Sequence, residues 1–180
     1  MDSHRPLRSC IFCLALLLSA PTVVWSLEVV GVTDGDTILV LRENHRIKIH
    51  LYGVDAPETQ QAYGKRARNF TADLTAGKEV EVKEVARDAD NQIVALVGSG
   101  DLNLNEELIR SGYAWIDTRS CDRPVCQQWQ ALEDEAKKEQ KGLWRDTNPV
   151  PPWEWRKDPQ NIVANFLKYM WTILSLRAVR

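Results

Sequence analysis

Three β-branched runs come before the first helical period, and this order constrains the fold more than any other feature of the chain. Val29 to Val32, Thr37 to Arg42 and Arg46 to Tyr52 are short and rich in valine, isoleucine and threonine, and "ENH" (43–45) makes the turn between the last two. Helical spacing begins only afterwards, from Gln61 to Ala76, and stops at Gly77. "KEVEVKEV" (78–85) alternates with one face apolar; "DADN" (88–91) turns, and Ile93 to Val97 returns as its partner strand. Asn103 is placed to cap a short helix, "LNEELIRS", closed by Gly112, and "YAWI" (113–116) is a brief strand. Pro124 opens a longer helix that runs to about Lys141 and ends at Gly142. Helices that do not alternate with strands exclude a doubly wound parallel sheet. The order favours a small closed barrel, an α+β fold.

The two ends differ from this middle. His4, Arg5 and Arg8 precede "IFCLALLLSA" (11–20), an apolar run too short to span a bilayer, and Ser26 sits at a cleavage offset. Residues 1–26 are therefore expected to be a signal peptide, and the protein to be secreted or periplasmic. The alternative is an uncleaved N-terminal anchor. Two of the four cysteines, Cys10 and Cys13, fall in this leader. The other two, Cys121 and Cys126, suit a disulfide in an oxidising compartment; two cysteines alone do not fill a zinc tetrahedron. After the domain (27–146), "NPVPPWEWRK" within 147–157 reads as an extended strap rather than a helix, its tryptophans gaining from burial. From Asp158, polar residues at 161, 165, 168, 172 and 175 mark a wide-faced amphipathic helix over 158–180. That helix either packs on its own domain or binds a membrane surface or a partner.

The formal net charge is −2, so no global basic field draws in a polyanion. Yet four acids crowd a short stretch: Asp34 and Asp36 in "TDGDT", Asp55 and Glu58 in "VDAPE". If the first strands are neighbours, Asp36 and Asp55 converge at one end of the sheet. Clustered carboxylates without a matching arginine or lysine point to a hard cation. Calcium accepts six to eight oxygens in a loose shell; magnesium demands tighter geometry. "TDGDT" is not an EF-hand, and taken alone it reads as a solvated turn. Glu58, its direction set by Pro57, is placed either to take a proton from a water or to serve as a helix-start acid before Gln61.

"VTDGDTILV", "LYGVDAPET", "LNEELIRSGYAWI" and "GLWRDTNPVPPWEWR" occur in an order and spacing that resembles the staphylococcal-nuclease (thermonuclease-like) family from about Val29 to Lys157. The resemblance implies a five-stranded OB-fold barrel with about three helices, and calcium-dependent hydrolysis of single-stranded DNA or RNA phosphodiesters. Carried over by position, it makes Asp36, Asp55 and the Ala56 carbonyl Ca2+ ligands, Asp34 a supporting acid and Glu58 the general base. The family also holds the scissile phosphate with two arginines. Their positions here are His50 and Gln92, and no substitute is evident nearby: Lys48, on His50's side of the strand, lies roughly 6–7 Å further along. A histidine is only partly charged at neutral pH and a glutamine not at all. The expectation is a calcium-dependent nuclease of weakened activity. The alternative is a catalytically impaired OB-fold module that binds nucleic acid or a membrane.

Overall fold

The computed structural model describes residues 24–158 and 160. Nearly all of the expected leader and of the amphipathic tail helix lies outside the described residues. Strands β1 (Val24–Asp34), β2 (Thr37–Arg42), β3 (His45–Leu51), β5 (Glu79–Arg87) and β6 (Ile93–Ser99) form the sheet. Its order is β3-β2-β1-β5-β6, and β3 pairs with β6 in parallel to close a mixed five-stranded barrel. Two-residue strands β4 (Val54–Asp55) and β8 (Trp115–Ile116) pair beside it, and β7 (Leu102–Asn103) extends β6.

The hairpin between β2 and β3 turns on Glu43 and Asn44, both left-handed (φ 51° and 63°), the twist-matched form of a two-residue loop. Alternation then buries Ile38, Val40, Ile49, Val80, Val82 and Val97 inside the barrel. Helix α1 (Gly64–Thr75) packs on β1, and α2 (Leu104–Arg110) packs on β6 and against α3 (Val125–Lys138), whose Trp129 is fully buried in the core. Asn103 caps α2 as expected, accepting from the Glu106 amide. Next to it, buried Asn105 accepts from the Val97 amide and donates to the carbonyls of Tyr52 and Ala95. One side chain thus ties β6 to the residue that follows β3, adding to the Tyr52 amide's own bond to the Ala95 carbonyl.

Three elements differ from expectation. Strand β1 begins earlier: Val24, Trp25 and Ser26 pair with Lys83, Val82 and Glu81, so the boundary expected after Ser26 falls inside the strand. Helix α3 ends at Lys138, because Gln140 and Gly142 both turn left-handed (φ 51° each). The strap contains a fourth helix, α4 (Pro152–Trp155), where an extended path was expected. Proline is tolerated in a helix's first turn, where its missing N–H has no bond to lose. Cys121 and Cys126 are joined in a disulfide, as their spacing suggested. No helix among the described residues is long and apolar enough to cross a membrane.

Candidate active site

Both acidic motifs meet at one cleft of about 250 Å³, lined by Asp34, Asp36, His50, Asp55, Ala56 and Glu58, together with Asp117, Arg119 and Arg156. The first motif arrives on the β1–β2 turn. Its Gly35 is packed so closely that a Cβ there would lie 2.6 Å from the Ala56 methyl and 2.8 Å from that of Ala67. Thr71 of α1 donates to the Gly35 carbonyl at 2.5 Å. Asp36 then accepts from the Ala56 amide at 2.7 Å, one residue from Asp55, which locks the two motifs together. The sequence-level requirement that Asp36 and Asp55 share one end of the barrel is met by this bond.

The second motif is held by the β4–β8 pair, in which Asp55 opposes Trp115 and the Asp117 amide donates to the Gly53 carbonyl. Gly53 is left-handed (φ 70°), and a Cβ there would sit 2.6 Å from the Cys121 sulfur. The disulfide loop therefore packs under the strand that carries Asp55. Tyr52 ties the loop down again, donating to Asp122 Oδ1 at 2.6 Å and accepting from the amides of Asp122 and Arg123. Burial and the Asp122 carboxylate push the Tyr52 phenol above its ordinary pKa. Gln61 links Glu58 to the strap: its Oε1 accepts from the Glu58 amide and its Nε2 donates to the Val150 carbonyl.

Electrostatically the cluster has two parts. Asp55, Glu58 and Asp117 are paired, Asp55 being itself buried. Arg156 of the strap grips Asp55 with both Nη groups (3.1 and 2.6 Å) and reaches Glu58 Oε1 at 2.9 Å. Arg119 reaches Asp55 at 3.2 Å and Asp117 at 2.7 Å. Burial opposes the charge on Arg156, but Asp55 and Glu58 outweigh it and raise its pKa. Asp117 is held below its ordinary value, against the effect of burial, by hydrogen bonds from Arg119 and Ser120. The expectation that no arginine attends these acids is therefore overturned. Their partners come from positions 64 and 101 residues beyond Asp55.

The inner acids have no ion-pair partner among the described residues. Asp34 Oδ1 is buried without a hydrogen bond. The Asp36 carboxyl is pushed well above the usual range, first by burial and then by the charge of Asp34, with Asp55 adding to it. An orphaned carboxylate oxygen beside a carboxyl that resists ionisation is the signature of a position that suits a cation. Among the described residues no three His, Cys, Asp or Glu side chains already close around an ion. A hard cation held here would need backbone, water or substrate oxygens as well, which suits the loose shell of calcium.

Of the two positions expected to contact phosphate, His50 lines the cleft. His50 Nδ1 lies 3.2 Å from Thr37 Oγ1, and its Nε2 lies 3.3 Å from Gln92 Oε1 and 3.5 Å from Asp88 Oδ2. His50 and Gln92 thus meet each other. Asp88 joins them, and Gln92 itself borders a separate depression with Lys48.

Comparison with known proteins gives a consistent picture. A family described as "Staphylococcal nuclease homologue" matches residues 48–146. An uncharacterized endonuclease of Escherichia coli is 40% identical over 72% of this chain and 83% of its own length. A micrococcal nuclease of Shigella flexneri is 36% identical over 86% of this chain and 94% of its own. A probable staphylococcal-like nuclease of Oryza sativa subsp. japonica is 34% identical over 68% of this chain but only 31% of its own length.

Proposed function

Since the chain belongs to the staphylococcal nuclease family, we propose that it is an exported, calcium-dependent nuclease that hydrolyses single-stranded DNA or RNA phosphodiesters at a reduced rate. The observation that carries this reading is the meeting of Asp34, Asp36, Asp55 and Glu58 in one cleft, with the inner pair lacking a counter-ion. Asp36 and Asp55, with the Ala56 carbonyl, would hold the ion, and Asp34 would support them. When bound, calcium would polarise a phosphoryl oxygen and offset the growing charge on phosphorus.

The protein's own groups do the rest. Glu58 has Oε1 engaged by Arg156, which leaves Oε2 to accept the proton of an attacking water. The bond from Gln61 to its amide fixes the backbone that aims it. His50, joined to Gln92 and Asp88, gives the substrate a weaker grip than a guanidinium would. Losing one preorganised donor of this kind typically lowers turnover by roughly 10²–10³-fold.

The purified full chain is expected to cut single-stranded DNA with calcium and to stop on adding chelator. Asp36→Ala should lose both calcium binding and cleavage. Absence of calcium-dependent cleavage at high protein concentration would overturn the hydrolytic reading. Oligonucleotide binding that persists without cleavage would favour the impaired binding module instead.

A further inference from the structure

We infer that Arg119 and Arg156 hold the phosphodiester of the substrate, so that the anion-gripping charge of the cleft stands on these two side chains rather than at His50. The inference deepens the nuclease reading and takes its kind of substrate from it. Among the described residues lining the cleft, these two side chains are its guanidinium groups, and no lysine joins them. His50 offers the weaker grip. Its imidazole faces the Asp88 carboxylate at 3.5 Å, so an entering phosphate meets negative charge there.

Both arginines are set in place before any ligand arrives. Arg119 lies 5.1 Å from the centre of the Trp153 ring, which itself packs edge-on against Trp115. Arg156 follows directly on α4, and the Gln61–Val150 bond fastens that strap to the Glu58 loop. Both remain part-exposed, with 57% and 41% of their side-chain surface open, as groups at the mouth of a cleft must be to receive a polymer. They also keep donors in reserve. Arg119 bonds through Nε and Nη2, and Arg156 through Nη1 and Nη2. Nη1 of Arg119 and Nε of Arg156 have no hydrogen-bond partner among the described residues. A guanidinium carries five N–H groups, enough to serve a carboxylate and a phosphate together.

The test is fluorescence anisotropy of a labelled single-stranded phosphorothioate DNA on the full chain with calcium present, across a salt series. Arg119→Gln and Arg156→Gln should each weaken binding roughly tenfold or more. Each should also flatten the log–log salt slope by about 0.7, the value for one lost contact to a single strand. Arg110→Gln, on α2 and away from the cleft, should bind as wild type does. If both cleft variants bind within about twofold of wild type with an unchanged slope, the arginines are only counter-ions for Asp55 and Glu58, and the inference is overturned. Where a glutamine variant does not melt cooperatively, the lysine variant at that position decides. Affinity reduced by roughly threefold or more supports a forked contact, and wild-type affinity overturns it. Cleavage of unmodified DNA by the wild type is read separately: binding through the arginines with no cleavage breaks the hydrolytic reading and leaves this inference standing.

Discussion

The two walls of the cleft handle charge in opposite ways. On one wall a histidine, a glutamine and an aspartate sit within about hydrogen-bonding distance of one another and present no guanidinium. On the other, two arginines bind Asp55 from separate elements, with an aromatic ring behind one and a helix beneath the other. The first wall is built on the barrel strand β3 and on the turn between β5 and β6. The second is built on a two-residue strand pair and on the strap. What this teaches is that a site can take its acids from a barrel turn and the short strand pair beside it while its cations come from peripheral segments, whose tethers are the disulfide loop and Gln61.

The sharpest way to break the comparison is at Glu58, which Arg156 holds. Glu58→Gln should lower single-turnover cleavage by roughly 10²–10⁴-fold, the range for losing a general base, while calcium affinity measured by titration calorimetry stays near wild type. Equal loss of both would place Glu58 on the ion instead. The His50 wall can then be rebuilt: His50→Arg with Gln92→Arg should raise turnover by roughly 10-fold or more if a guanidinium there can still reach phosphate. An unchanged rate would mean that Asp88 captures the new charge, or that the substrate leans on the other wall alone.

Smaller effects probe the supports. Replacing Cys121 and Cys126 with serine frees the loop under Gly53 and should cost about 2 kcal/mol, as expected for so short a closed loop. Denaturant melts would read this, and the loss should come with weaker DNA binding, because the same loop follows Arg119. The inner acids give the smallest signal. Since the pKa of Asp36 is raised in the folded protein, its contribution to stability is fully present below the ordinary carboxylate range. That contribution is lost as pH rises through the elevated value. In chelator, Asp36→Asn should therefore melt a few degrees higher than wild type at pH 7 and match it near pH 3. A variant that melts lower at both would show that the carboxylate is satisfied without an ion.

The barrel and its acids were legible because their signals are local. Alternation marks β5, β-branched runs mark β2 and β3, and Asn103 caps a helix three residues before its bonded amide. Asp36 and Asp55 were joined correctly because both lie where a strand ends. The arginines escaped notice for the opposite reason. Arg119 reaches Asp55 through pairing of two-residue strands, too short to carry a period, and Arg156 through a proline-rich stretch in which helix α4 was not expected. The start of β1 was hidden because Val24 and Trp25 share the apolar character of the leader beside them, and only their pairing with β5 separates the two.

The bond from Arg156 to Asp55 spans 101 residues, and this has a consequence for how the protein comes into being. A ribosome completes the acids at 34 to 58 long before it reaches the cation that balances them. Every nascent chain therefore passes through an interval in which the acids exist without that partner. A chain nicked within the strap would return to the same state, with its barrel whole and one of its two cationic grips missing. Integrity of the strap is thus a condition for the balance of acids far upstream of it.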